Sequence, residues 1–178
     1  FINPGFSSFA GIQNYLSILQ DSYFWNSLWV TLKFVVLVVL IEFCIGFLIA
    51  LMLSRDIRFK GFYYAILTIP MLMSPVAVGL IWKMLLHPSL GIINFILNRV
   101  GLSPVDWLGN STNAFLSVIF VDIWQQVSFM IMVLLAGLVS LPKDIFEAAD
   151  IDGASEMQKL YYIKIPLMGP VIFAAVTL

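Results

Sequence analysis

Residues Glu147 to Pro166 read EAADIDGASEMQKLYYIKIP. They lie between two long apolar stretches in a chain that is otherwise poor in charge. The window 140–165 carries five acids and three bases, with Gly153 near its middle. Capping chemistry predicts two short helices around a glycine corner. Pro142 suits a first helical turn, where its missing N–H costs nothing. Asp144 and Glu147 favour the positive end of the helix dipole. Ile145, Ala148, Ala149 and Asp152 recur at helical spacing. Gly153 then interrupts, and Asp152 is the expected N-cap of the second helix, its carboxylate accepting from Ala154 or Ser155. That helix is expected to run to about Lys164 and meet Pro166 at a membrane. Ala148, Ala149, Gly153 and Ala154 are small enough to let a partner approach the backbone. The element reads as a folded docking knob on a membrane protein.

Composition sets the solvent. Of 178 residues, 61% are hydrophobic and 11% charged, and the mean hydropathy is +1.01. Soluble domains average roughly 45–50% apolar and about 25% charged. Charges this sparse do not cover the surface of a soluble fold. The net charge of -1 points to no nucleic-acid partner. The single Cys44 offers neither a disulfide framework nor zinc spacing. The sequence begins without Met and stops inside an apolar run, and it reads as a fragment of a longer chain.

Three stretches reach the roughly 20 apolar residues needed to cross a bilayer. They are 28–53, 62–86 and 113–139; a fourth begins at Pro166 and runs to Leu178. Lipid offers the backbone no hydrogen-bond partner, so each is expected to be helical. Pro70 and Pro75 predict a kink or local unwinding in the second. The fold class is therefore all-α, a polytopic helix bundle. Lys and Arg number three in the loop after the first span (Arg55, Arg58, Lys60). The next loop has only Arg99, and the third has Lys143, Lys159 and Lys164. The excess of bases places the first and third loops in the cytoplasm. Residues 1–24 are then an external lead-in. Phe24, Trp25, Trp29, Tyr63 and Tyr64 fall at interfacial positions.

The loop resembles the EAA loop of permease subunits from binding-protein-dependent ABC importers. Glu147-Ala148-Ala149, Asp152-Gly153-Ala154, Ile163, Ile165 and Pro166 stand at the family's spacing, with Leu160 where the family usually has Phe. The resemblance extends to Gln13-Asn14-Tyr15, Phe24-Trp25-Asn26-Ser27-Leu28, Ser54-Arg55, Gly61, Ile69-Pro70 and Pro75-Val76. It continues through Gly91-Ile92-Ile93-Asn94, Asp106-Trp107-Leu108-Gly109, Trp124 and Ala136-Gly137-Leu138. Ser128 stands where Pro is common, and His87 where an acid is common. The nearest branch is the sugar and glycerol-phosphate type, on its maltose F-like side, with a type I importer fold. The resemblance implies a bacterial or archaeal cytoplasmic membrane. It implies as partners a second permease subunit, cytoplasmic ATP-binding subunits and an extracytoplasmic solute-binding protein. Glu147, Ala148, Ala149, Asp152, Gly153, Ala154 and Pro166 would be the ATPase-coupling residues. The chain has no GxxxxGK[ST] phosphate loop, so ATP and Mg would be used by the partner, and this chain would bind no cofactor or metal.

Polar groups inside spans should face protein or water. Asp122, Gln125, Gln126 and Phe129 fall at i, i+3, i+4 and i+7 on one helix face. Two amides, a carboxylate and a ring suit a sugar's hydroxyls and pyranose face; the same groups also serve as interhelical hydrogen bonds. Glu42 lies mid-span and is read as structural. Lys33 and Lys83, near helix ends, are expected to snorkel to the interface, which leaves the path without bases and favours a neutral sugar. His87 reads as a surface histidine, and Met71, Met73, Met130 and Met132 as adaptable packing. The alternatives are an ion- or proton-driven carrier, or an intramembrane enzyme, using Glu42 and Asp122. No GxSxG or HExxH supports the enzyme, and no catalytic residue is assigned.

Overall fold

The computed structural model describes residues 12–177. Residues 1–11 of the expected lead-in, and residue 178, lie outside the described residues. The described residues form helices joined by turns and loops, with no strand among them. Helices run α1 Gln13–Gln20, α2 Ser22–Leu53, α3 Lys60–Leu72, α4 Pro75–Leu85, α5 Ile92–Arg99, α6 Ser111–Val139 and α7 Lys143–Ile151. The last arm is α8 Glu156–Lys159, a π-helical turn Leu160–Lys164, α9 Ile165–Leu167 and α10 Gly169–Thr177.

The chain divides into two compact units, residues 1–37 and 38–178. In the first, α1 stops at Asp21, whose Oδ1 accepts from the Tyr23 N–H at 2.8 Å and so opens α2. Trp25 Nε1 donates to the Leu19 carbonyl at 2.8 Å across that junction. Lys33 Nζ lies 5.2 Å from the Trp29 ring centroid.

In the second unit the core is built on α6. Met130, Ile131, Leu134, Leu135 and Leu138 are buried, and their spacing makes one stripe along the helix. Against them pack Ala50 and Leu53 of α2, Met168, and Ala175 of α10. Two glycines let backbones approach. A Cβ on Gly46 would stand 2.7 Å from Met130 Cγ, and one on Gly137 would stand 2.7 Å from Val171 Cγ1. Much of the remaining apolar surface is exposed, including Leu40, Leu48, Met52 and Leu116. This is the inside-out distribution a lipid solvent permits.

Two helices, α2 and α6, are long and apolar enough to cross a membrane singly. Over the expected span 62–86 lie two helices, α3 and α4, bent by 94° at the break between them. The cause is Pro75. It occupies the first turn of α4 and holds Ser74 extended at ψ 132°. The break exposes the Met73 carbonyl, which accepts from Gln125 Nε2 of α6 at 3.2 Å. Pro70 is accommodated inside α3.

At the other end of α4, the segment before α6 is held by Asn94, which is 3% exposed. Its Nδ2 donates to the Pro88 carbonyl at 2.9 Å and to that of Val105 at 2.8 Å. Its Oδ1 accepts from Val105 N–H at 3.1 Å and Trp107 Nε1 at 2.9 Å. The amide's bonding capacity is thereby filled. His87 is exposed, and its Nδ1 accepts from Ser89 and Leu90 N–H in the turn that follows it.

Replacing Gly137 with Leu should overpack the α6–α10 contact and cost about 1–3 kcal/mol. Gly61, with nothing within 4 Å of an added Cβ, should accept Ala without loss. Thermal unfolding of the purified assembly, read for both variants, checks the pair.

Candidate functional site

The segment after α6 forms the expected corner, closed by different groups. Pro142 sits one residue ahead of α7, as its N-cap, with Asp144 in the first turn. The helix ends at Asp152 in a Schellman motif. Ala154 N–H reaches back to the Ala149 carbonyl at 2.9 Å, and Gly153 N–H to that of Asp150 at 3.1 Å. Gly153 takes φ +75°, the left-handed region that disfavours residues with a Cβ by about 1–2 kcal/mol.

Asp152 is therefore the C-cap of α7 and not the N-cap of the second arm. The reversal has a physical reason: the left-handed glycine needs two more residues before a new helix can begin. Ser155 caps it instead. Its Oγ accepts from Gln158 N–H at 3.3 Å, and Gln158 Oε1 accepts from Ser155 N–H at 2.7 Å. The two bonds make a complete capping box.

An ionic brace ties the arms together. Lys159 is 7% exposed. Its Nζ donates to Asp150 Oδ1 of α7 and to Glu156 Oε1 of α8, the latter at 2.9 Å. Glu156 Oε2 lies 3.8 Å from Lys164 Nζ and 3.9 Å from an Arg55 guanidinium nitrogen in the loop after α2. Lys164 also stands over the Phe146 ring of α7 at 5.7 Å. The two base-rich loops thus meet at one end of the unit. The Lys159 hydrogen bond holds the Glu156 carboxyl below the usual carboxylate range, with Lys164 and Arg55 adding to it. The Asp150 hydrogen bond, then that of Glu156, raises Lys159 above the ordinary lysine range.

The second arm runs past Lys164 to Leu167. Pro166 has no N–H, and in a regular helix its ring would press on the carbonyl four residues back. The turn Leu160–Lys164 widens to a π-helix, with Ile165 N–H bonded to the Leu160 carbonyl. The chain then bends by 64° into α10.

The outward face is open. Glu147, Ala148, Asp152 and Gly153 are exposed, and Ile151 is 87% exposed. An added Cβ at Gly153 would meet nothing within 4 Å. A hollow of about 290 Å³ adjoins it, lined by Ala154, Gln158, Tyr162 and Ile163. Ala149 is the exception among the expected contact residues. It is buried, packs inward, and gives its carbonyl to the corner.

The four polar-face residues of α6 separate. Gln125 is half-buried and committed to the α3–α4 break. Asp122 is half-buried, while Gln126 and Phe129 are exposed. Glu42 is buried, and its Oε1 has no hydrogen-bond partner among the described residues; Asp122 is its electrostatic neighbour. No three metal-ligating side chains converge among the described residues.

Residues 42–178 match the profile of the family described as "Binding-protein-dependent transport system inner membrane component". The chain belongs to this family. A trehalose/maltose transport system permease protein of Thermococcus litoralis is 38% identical over 170 residues, 96% of this chain and 58% of the relative. An sn-glycerol-3-phosphate transport system permease protein of Agrobacterium fabrum is 35% identical over 167 residues, 94% and 57%. A bacterial alginate ABC transporter, solved in complex with an alginate pentasaccharide-bound periplasmic protein, aligns at TM-score 0.80 and 29% identity. That alignment covers 91% of this chain and 57% of that one. This inner-membrane-component chain spans just over half the length of these relatives. The first two are named as permease proteins.

Sequence reasoning missed Ser155, Asp150, Lys159 and Asn94. The Ser155-x-x-Gln158 capping box was readable in the sequence. The nine-residue reach from Asp150 to Lys159 across a turn was not.

The brace has a defined pH window. Glu156, with its folded pKa depressed, contributes stability above its unfolded pKa that is lost as pH falls through the folded value. Lys159, raised, contributes below its unfolded pKa and is lost as pH rises through the folded value. Backbone hydrogen exchange at 152–159, referenced to intrinsic rates, should therefore stay protected across neutral pH. It should loosen only in strong acid or strong alkali. Ser155→Ala should cost about 1 kcal/mol of that protection at neutral pH.

Proposed function

We propose that this chain is a permease subunit forming half of the translocation pore of an ATP-driven importer for a carbohydrate. It couples to a cytoplasmic ATPase through the corner at Gly153. The observation that carries the reading is the corner itself. It is closed by a Schellman motif, braced by Lys159, and open on the side where Ala148, Ile151 and Gly153 are exposed. A rigid knob joined to α6 at one end and to α10 at the other turns a push on its face into helix movement. Glu147, Ala148, Asp152, Gly153 and Ala154 form the docking face; Ala149 sets its shape from within, and Pro166 through the π turn that precedes it.

The partners are a second permease subunit, two ATP-binding subunits that use ATP and Mg, and an extracytoplasmic solute-binding protein. Support for the last comes from the alginate transporter, whose structure holds an oligosaccharide-bound periplasmic protein. The relatives named for trehalose/maltose and for sn-glycerol-3-phosphate support a carbohydrate or a related polyol phosphate as the solute. Gln126 and Phe129, exposed on α6, are the path-facing groups, offering an amide for hydroxyls and a ring for a sugar face. Asp122 borders the same face, and Gln125 shapes it by holding the α3–α4 break. ATP binding would close the ATPases, move the docked corners and open the path outward, and hydrolysis would reset it.

The second reading, an ion- or proton-driven carrier, rests on buried Glu42 beside Asp122. It predicts uptake that survives ATP depletion and collapses with the proton gradient; the importer predicts the reverse. In the assembled complex, Gly153→Trp should abolish solute-stimulated ATPase while membrane insertion is retained. Normal stimulation in that variant contradicts docking at the corner.

A further inference from the structure

Beside the brace lies a cavity of about 480 Å³ between the loop 54–60 and the segment 138–164. Its size falls within the roughly 300–1,000 Å³ of small-ligand sites. Its charge is unbalanced. Arg55, Lys60, Lys143, Lys159 and Lys164 line it, against Asp56, Asp150 and Glu156. Lys159 takes up two of those carboxylates. Lys60 and Lys143 have no carboxylate within 4 Å among the described residues. Lys60 Nζ instead donates weakly to the Arg55 carbonyl at 3.4 Å and faces the Tyr64 ring.

The other walls are apolar: Leu138, Val139, Leu141 and Phe146. Leu138 and Val139 are the last turn of a helix long enough to span a membrane. A cationic hollow with a greasy wall, at the mouth of a spanning helix, suits a ligand that is anionic at one end and apolar at the other. The cytoplasmic leaflet, where the count of bases places this face, supplies such molecules as its anionic lipids.

We propose that this cavity is a binding site for the headgroup of an anionic phospholipid. Lys60 and Lys143 pair with the phosphate, and the acyl chains lie along the apolar wall toward α6. The lipid then occupies the gap between the loop after α2 and the corner. The site stands independently of ATPase docking, because it is read by lipid retention and not by transport.

The test uses the assembled transporter in nanodiscs of equal parts phosphatidylcholine and phosphatidylglycerol. The complex is then released into mild detergent, and retained lipids are counted by native mass spectrometry. The unmodified complex should keep phosphatidylglycerol in preference to phosphatidylcholine. Lys60→Gln and Lys143→Gln should each lower that retention roughly fivefold, leaving phosphatidylcholine unchanged. Lys60→Arg with Lys143→Arg should restore it. If the Lys60→Gln variant does not assemble, Lys143→Gln, at an exposed side chain, carries the test alone. Equal retention of the two lipids overturns the proposal, as does retention indifferent to either lysine. Displacement of the lipid by inorganic phosphate overturns it too, by showing a free-anion site.

Discussion

One ammonium group, Lys159 Nζ, stands between carboxylates contributed by two helices that meet at a glycine. The geometry of the exposed loop depends on that arrangement. Its two arms are too short to hold a fixed angle by themselves, since isolated helices of this length are marginal in water. Backbone bonds close the turn at Gly153, and the Ser155 box starts the second arm. The side-chain brace then makes the arms one body. Because Asp150 and Glu156 remain largely exposed, the brace avoids the desolvation cost of a fully buried ion pair.

Prolines divide the membrane-side helices, and each break is satisfied differently. At Pro75 the helix stops outright, and the freed Met73 carbonyl is met by Gln125 on another helix. At Pro166 the helix continues, widened by one residue into a π turn. In a low-dielectric surrounding an unpaired carbonyl is costly, so such breaks persist only where a partner or a local adjustment exists. The Pro75 break sets the Met73 carbonyl against Gln125 of α6. The Pro166 bend lies between the braced corner and α10. Only the second joint lies directly on the chain path from the corner to α10.

Long apolar runs made α2 and α6 legible in the sequence, because spanning length follows from hydropathy alone. The corner was legible because a glycine between two amphipathic helical patterns has few other meanings. What escaped was tertiary. Pro70 and Pro75 signalled a disturbance, yet they do not encode a 94° bend, which needs Gln125 to stabilise it. Asp152 and Ser155 are both good N-caps by type, and only the left-handed turn at Gly153 decides between them. Ala149 shares its helical pattern with Ala148, but faces the other way. Asn94 is one asparagine in a polar loop until Trp107 and Val105 are brought to it. The separated motifs at 91–94 and 106–109 are joined through that one side chain, which accepts from Trp107 Nε1.

The proposed function requires that the corner face the cytoplasm and be gripped there by an ATP-hydrolysing subunit. Site-directed cross-linking tests it most directly. Cys44 is replaced by Ser, and a single cysteine is placed at Ile151, which is 87% exposed, or at Leu90, which is 86% exposed at the opposite end. A thiol-linked photo-cross-linker at position 151 in the assembled transporter should capture the ATP-binding subunit, and one at position 90 should not. A probe at 151 that reacts only with reagents added from the extracytoplasmic side, and captures no such subunit, would contradict the account.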